Sequence, residues 1–125
     1  MEEFVKHLRE SYSVREYEDG FIVTTPILYR FADHTFSFFI KKTGDCGFII
    51  TDLGQTLDYL NECFDPEPYM DKIQAICKYF SITLENDVFT GQIASYETNQ
   101  AMRTFHMFIG AMNMIANIDV FDEIE

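Results

Sequence analysis

Large hydrophobic side chains recur at every second position in much of the first 51 residues. From Phe36 to Ile40 they alternate with residues of mixed polarity. Successive side chains of a strand point to opposite faces, so this alternation predicts a strand over 35–42 with one buried face. A glycine-containing turn over 43–45 and the apolar run over 46–51 then predict an antiparallel return strand.

Two further strands are predicted before this pair. The stretches 14–18 and 21–29 are rich in β-branched and aromatic residues. They flank an Asp-Gly dipeptide, which tolerates the positive φ angles of a tight hairpin turn. Pro26 has no N–H to donate, so we expect the second strand to bend there or to lie at a sheet edge. Residues 2–10 are predicted to form a short amphipathic helix.

The hydrophobic period lengthens from about 2 to about 3.6 residues after Thr51, which is typical of helices. Apolar stripes predict three of them, over 53–64, 69–80 and 95–118. A second hairpin is predicted over 82–90. The pattern therefore predicts a single α+β domain over 1–125, with an antiparallel meander of three to four strands covered by helices, a second small hairpin and a long C-terminal helix.

The composition is that of a folded protein. Hydrophobic residues make up 47% of the 125 residues and aromatic residues 16%, whereas disordered acidic chains lack large apolar side chains. No apolar run reaches the ~18–20 residues of a membrane-spanning helix, and the first residues lack the order of a signal peptide. A cytoplasmic protein without membrane contact is expected. The separated Cys46, Cys63 and Cys77 are predicted to be reduced residues in or near the core.

Motifs for catalysis and for metal binding are missing from the sequence. His7, His34 and His106 are scattered, without a GxSxG nucleophile motif nearby and without the spacing of metal ligands. A phosphate-cradling glycine loop is also missing. No catalytic residue, metal or cofactor is therefore predicted.

One enzymatic alternative stays open, a divergent metal-dependent nuclease or a nuclease-associated accessory domain. Such a nuclease holds magnesium with carboxylates at the ends of neighbouring strands, and Asp33, Asp45 and Asp52 flank or end the predicted strands. Against it, Phe39 stands where the carboxylate of an acid-x-lysine motif would precede Lys41.

The most distinctive local motif is the run TDLGQ over 51–55, where a strand gives way to a helix. Asp52 is predicted to be the helix N-cap, accepting from the free amides of the first turn. Gln55 is expected to reach back to the cap backbone, as in a capping box. This structural role is favoured over a functional role for Asp52.

Roughly the first half of the chain resembles a family of small domains of unknown function from Gram-positive bacteria and their phages. The resemblance rests on the Phe-rich strand over 36–42, the run GFIITDLG over 47–54, and the following Thr56 and Leu57. It implies a compact α+β domain of a kind often found in mobile elements. It carries over no established catalytic residues.

The net charge of −12 is unevenly distributed. Residues 1–42 hold 6 basic and 7 acidic side chains, whereas residues 43–125 hold 3 basic and 14 acidic ones. The acidity is densest on the helix predicted after Asp52 and just beyond it. The candidate partner-binding residues are the carboxylates of this stretch, namely Asp58, Glu62, Asp65, Glu67 and Asp71.

This row of carboxylates has two interpretations. It is either a solvated face that promotes solubility, or an imitation of nucleic-acid phosphates that docks in a basic channel. Direct nucleic-acid binding is disfavoured because phosphate contacts need cations, and only Arg30, Lys41 and Lys42 are close in sequence. The leading hypothesis is a non-enzymatic phage or mobile-element protein that inhibits a basic host nuclease, of the RNA-guided (CRISPR) or restriction type, by protein–protein contact.

The predicted C-terminal helix is hydrophobic on more than one side, which favours a central position in the core. The alternative is a homodimer interface on its second apolar stripe. Small residues there would permit close approach, and methionines would adapt to a partner. This stripe consists of Met107, Gly110, Ala111, Met114 and Ile118.

Overall fold

One six-stranded antiparallel sheet forms the centre of the protein, seen in a computed structural model that describes residues 2–29, 35–44, 47–94 and 97–120. The strands are β1 (Ser13–Tyr17), β2 (Gly20–Leu28), β3 (Thr35–Thr43), β4 (Gly47–Thr51), β5 (Thr83–Glu85) and β6 (Val88–Ile93). The helices are α1 (Glu2–Ser11), α2 (Gln55–Cys63), α3 (Met70–Tyr79) and α4 (Thr98–Ala116), with a short 3-10 helix at Glu67–Tyr69. The predicted α+β class is confirmed.

The second hairpin joins the main sheet rather than standing apart from it. The spatial order is β1-β2-β3-β4-β6-β5, so β6 pairs with β4, and β5 lies at the far edge. The alternation of the hairpin continues past Thr90, because Phe89, Gly91 and Ile93 are all buried on one face. The predicted hairpin ended at Thr90 and missed this extension.

One face of the sheet carries the core. Cross-strand partners such as Val23 with Phe38, and Ile40 with Ile50, put large apolar side chains side by side on this face. Such pairs stabilise a sheet through packing, and full burial of each side chain contributes about 1.5–3 kcal/mol. The helices cover this face.

The long helix α4 lies at the centre of the helical layer. Its inner side buries Phe105, Phe108 and Met112 against the sheet and against the other helices. The ring of Phe108 lies edge-on to Phe38 at a centroid distance of 5.6 Å. The central position predicted for this helix, from its apolar residues on more than one side, is therefore confirmed.

The middle of β2 is irregular, as expected from Pro26. The pairing of β2 with β3 shifts register between Thr24 and Leu28, and β1 pairs with β2 only as far as Thr24. The missing N–H of proline therefore coincides with a break in the ladder. No helix among the described residues is both long enough and apolar enough to cross a bilayer.

The helix predicted over 53–64, from an apolar stripe of Leu53, Leu57, Leu60 and Phe64, differs from expectation at two side chains. Leu53 precedes α2 and is 56% exposed. Tyr59, which the stripe omitted, is buried and lies 4.6 Å from the ring of Tyr29. The helix begins two residues later than the stripe predicted, which rotates its buried side towards Tyr59.

Substitution of Gly91 tests this packing. A Cβ at Gly91 would lie 2.9 Å from the ring of Phe108, so Gly91→Ala should lower the free energy of unfolding by about 1–3 kcal/mol. The matched control is Gly110→Ala on α4, where nothing lies within 4 Å, and helix propensity should raise stability by about 0.5–1 kcal/mol. Urea unfolding at low protein concentration measures both. Effects of the same sign would contradict the packing described.

Candidate functional site

The buried carboxylate of Asp52 joins the end of β4 to the start of α2. Its Oδ1 accepts from the amide of Gly54 at 2.9 Å and from the amide of Phe89 at 3.0 Å. Its Oδ2 accepts from the amide of Thr56 at 3.1 Å. Asp52 is 0% exposed, and its own amide donates to the carbonyl of Phe89 at 3.1 Å. One side chain therefore satisfies three backbone donors on two elements that are far apart in sequence.

The predicted structural role of Asp52 agrees with these bonds, but the cap has a different geometry. The N-cap residue is Gly54, and Asp52 reaches the helix amides from two residues earlier. Leu53 and Gly54 both have left-handed φ angles, 59° and 83°, which fold the chain back over the carboxylate. A residue with a Cβ adopts such angles only at a steric cost, so glycine is favoured at position 54.

Gln55 does not reach back to the cap backbone, so that prediction is wrong. Its side-chain amide instead donates to the carbonyl of Ser37 in β3. Strand β4 ends at Thr51, which pairs with Phe39, and leaves the earlier part of β3 without a strand neighbour on that side. Beyond the end of the β4 ladder, the Gln55 side chain supplies the donor for this β3 carbonyl. The bond links α2 to the sheet.

Buried polar side chains surround Asp52. The thiol of Cys77 has a pKa raised from 9.0 to about 11, first because burial disfavours the thiolate and then because of the negative charge of Asp52. Burial also raises the pKa of the Tyr29 hydroxyl, partly offset by a hydrogen bond with Thr56. These groups stay neutral at physiological pH and form an interior polar cluster.

Of the three carboxylates of the nuclease alternative, Asp33 and Asp45 lie outside the residues that the structure describes. Both oxygens of Asp52 are engaged by backbone amides and closed off from solvent. In the part of the chain that the structure describes, no group of three or more His, Cys, Asp or Glu side chains is arranged to hold a metal ion. The geometry at Asp52 therefore serves the fold.

The candidate partner-binding carboxylates are all exposed. They lie along α2, the connection after it and the first turn of α3, and comprise Asp58, Glu62, Asp65, Glu67 and Asp71. Asp58 and Glu62 are one turn apart on the side of α2 opposite its buried residues Leu57 and Leu60. Asp65 also accepts from the amide of Glu67 at 3.0 Å, which orders the connection. We call this stretch the acidic surface.

The candidate dimer stripe is divided by the fold. Ala111 and Ile118 are each 0% exposed within the core of a single chain, so their assignment to an interface is corrected. Ala111 is one of the buried residues of α4, and Ile118 is buried just beyond the end of that helix. Met107 and Gly110 are exposed and Met114 is half-buried, so these three remain accessible.

Tyr29, Thr56 and Phe89 complete the Asp52 cluster, and the sequence reasoning missed all three. Thr56 had only a weak signal, because it lies four residues after Asp52, whereas an N-cap side chain commonly meets the amides two or three residues on. Phe89 had none, since it lies 37 residues from Asp52 and meets it only through the pairing of β4 with β6.

Fold and surface together define a small α+β protein with a structural buried aspartate and an exposed acidic surface. Comparison of the chain with protein families, curated proteins and solved structures finds no match. The resemblance to small phage and bacterial domains accordingly stays a prediction.

Replacement of Asp52 by Asn tests the structural role of the carboxylate. One amide oxygen would serve Gly54 and Phe89, but the side-chain NH₂ would face the Thr56 amide. Asp52→Asn should lower the free energy of unfolding by about 2–4 kcal/mol. The control Asp58→Asn removes an exposed charge and should change stability by less than about 0.5 kcal/mol. Equal losses in urea unfolding would contradict the role assigned to Asp52.

Cys77 predicts a pH dependence of stability. Its pKa is higher in the folded protein than the ordinary value of 9.0, so above that pH the unfolded chain loses the thiol proton first. This stability is present below about pH 9 and is lost as the pH rises towards about 11. Urea unfolding across this interval should show a smaller loss for Cys77→Ala than for the unmodified chain. Parallel curves would contradict the assignment.

Proposed function

We propose that this protein binds a basic protein partner through the acidic surface, and that the partner is a host nuclease whose nucleic-acid channel it blocks. The observation that carries the proposal is the exposure of all five carboxylates along one continuous stretch of 14 residues, Asp58 to Asp71. A channel that binds nucleic acid is lined by cations, so it attracts a surface of this kind.

The rigid support of these carboxylates favours binding over mere solubility. Helix α2 is held at its start by Asp52 and Gln55, and its inner side buries Leu57, Tyr59 and Leu60. Charges on an ordered element lose less conformational freedom on binding than charges on a mobile tail. Association with a basic channel should also be fast, and should weaken as salt is added.

The like charges of this row have a small energetic cost. Asp58 and Glu62 lie four residues apart on α2, a spacing at which repulsion destabilises a helix by about 0.2–0.5 kcal/mol. A row maintained at such a cost is consistent with a binding role. Of the two interpretations, phosphate imitation also accounts for the concentration of acidity in this stretch.

Charge reversal tests the proposal. We expect Asp58→Lys, Glu62→Lys and Asp71→Lys together to weaken binding to the nuclease at least about tenfold and to abolish inhibition, because like charges would then meet in the channel. Asp65 is left unchanged because it orders the connection after α2. Affinity capture from the native host at low and high salt identifies the partner, and a DNA-cleavage assay with the recovered nuclease measures inhibition.

The matched control reverses three charges on a different part of the surface. Glu10→Lys, Glu16→Lys and Glu18→Lys change three exposed carboxylates near the N-terminus and should leave inhibition intact. Circular dichroism and urea unfolding confirm that both triple variants fold. Inhibition that survives reversal of the acidic surface, or that falls equally in both variants, would reject phosphate imitation by this surface.

A further inference from the structure

Helix α3 ends in a turn that leads the chain away from β6. The amide of Ser81 donates to the carbonyl of Lys78 at 3.3 Å, and the amide of Ile82 donates to the carbonyl of Cys77 at 2.8 Å. Ser81 has a left-handed φ of 57°. These are the bonds of a Schellman motif, which closes the last turn of a helix. The two amides serve α3, so they are not available to β6.

The outer edge of β6 is consequently open at Gln92. Strand β5 pairs only with Val88, Phe89 and Thr90. Phe89 directs its N–H and its carbonyl towards Asp52 at the end of β4. Backbone groups alternate in direction along an antiparallel strand, so those of Thr90 and Gln92 point away from β4. Thr90 meets β5, whereas none of the described residues hydrogen-bonds to the outward groups of Gln92.

A groove of about 580 Å³ lies along this open edge. Its walls come from β6, from the segment that follows α3 and from helix α4, and they include Phe80 and Phe108. Met107 also lines the groove and is 46% exposed. Small-molecule sites commonly have about 300–1,000 Å³ of space, mostly apolar and aromatic walls, and a few polar groups. The groove therefore has the size and the lining of a small-molecule site.

The lining of the groove disfavours charged ligands. None of the residues that line it is charged, although charged residues make up 24% of the chain. Its polar side chains are the hydroxyls of Ser81, Thr83, Thr90 and Thr104 and the amide of Gln92. An ion placed here would lose water without gaining a counter-charge, which is costly. The groove therefore favours neutral molecules that form hydrogen bonds.

The open edge is too short for another strand. Thr83 pairs with Thr90, and Ile82, the residue before Thr83, lies in the groove wall with Gly91. An added strand needs the edge on both sides of Gln92, so it would meet these residues. A small molecule needs only the N–H and the carbonyl of Gln92 itself. The free length of edge therefore favours a small molecule over a peptide or a second chain.

We propose that this groove binds a small neutral molecule whose planar edge carries an N–H donor next to a carbonyl acceptor, as in a primary amide, a lactam or a nucleobase. The donor bonds to the carbonyl of Gln92 and the acceptor to its N–H, which is the pairing that a neighbouring strand would otherwise supply. The body of the molecule lies among Phe80, Met107 and Phe108, where its apolar area is removed from water. This site does not depend on the function proposed for the acidic surface.

Nuclear magnetic resonance titration with benzamide tests the proposal. Benzamide carries the required edge on an apolar ring, so we expect saturable shifts of the Gln92 amide and the Met107 methyl group. N,N-Dimethylbenzamide keeps the acceptor but lacks the donor, and should bind about fivefold to tenfold more weakly because one hydrogen bond is lost. Benzamidinium has the same ring with a positive charge and no acceptor. It should leave the Gln92 amide unshifted, although the acidic chain attracts it.

Two variants locate the site, with the Met107 methyl shift as the measure of affinity. Gln92→Pro removes the outward N–H and leaves the bonds between β6 and β4 in place, so benzamide should bind about fivefold to tenfold more weakly. The control Gln92→Thr keeps the N–H and should bind like the unmodified chain. Thr104→Phe fills the groove from α4 without changing β6 and should abolish binding. Its control, Gly110→Ala, should leave binding unchanged, because nothing lies within 4 Å of the added Cβ.

The outcomes that would overturn the proposal are distinct. Benzamide without saturable shifts at Gln92 would reject the site, and equal affinity for N,N-dimethylbenzamide would reject the donor–acceptor edge. Binding that survives Thr104→Phe would place the ligand outside the groove. Circular dichroism confirms that each variant folds, and the Thr104→Phe result stands whether or not the proline variant does.

Discussion

The buried carboxylate of Asp52 is the interaction on which the rest of the structure depends. It bridges the first amides of α2 and the amide of Phe89 in β6, so it connects the N-terminal meander to both later parts of the chain. Hydrogen bonds to a charged group contribute about 1.5–3 kcal/mol each, more than neutral ones. A buried charge is tolerated only when it is fully paired, which makes the turn, the helix start and the strand pairing interdependent.

The position of Asp52 also determines how the acidic surface is presented. By holding the start of α2, Asp52 sets which side of the helix faces solvent, and with it the positions of Asp58 and Glu62. Its bond to the Phe89 amide lies directly beside the pairing of β4 with β6, so the same side chain supports that pairing. The proposed binding surface therefore depends on a residue that does not belong to it.

Much of the fold follows from local patterns. The alternation from Phe36 to Ile40 predicted β3 and its buried face, and the change of period after Thr51 predicted where strands give way to helices. These features depend on neighbouring residues, so the sequence alone reveals them. The exposure of the acidic surface was predictable for the same reason, because Asp58 and Glu62 lie opposite an apolar stripe of the same helix.

The parts that escaped prediction all depend on contacts between distant segments. The bond between Gln55 and Ser37 exists because β4 ends one residue before Asp52, which no local pattern reveals. The burial of Ala111 and Ile118 likewise depends on core contacts with other parts of the chain. The end of β6, which the predicted hairpin missed, follows in part from local pattern. Ile93 continues the alternation of buried residues along β6, but Gly91 has no apolar side chain to reveal that alternation. That glycine is there because the Phe108 ring occupies the space of a side chain.

The distribution of charge divides the surface of this small protein into two kinds of region. Carboxylates are concentrated from Asp58 to Asp71, whereas α4 carries none and the groove beside β6 is uncharged. Screening over about 8–10 Å at physiological salt limits how far each region influences the other. A basic partner is therefore attracted to the stretch from Asp58 to Asp71 rather than to the groove and α4.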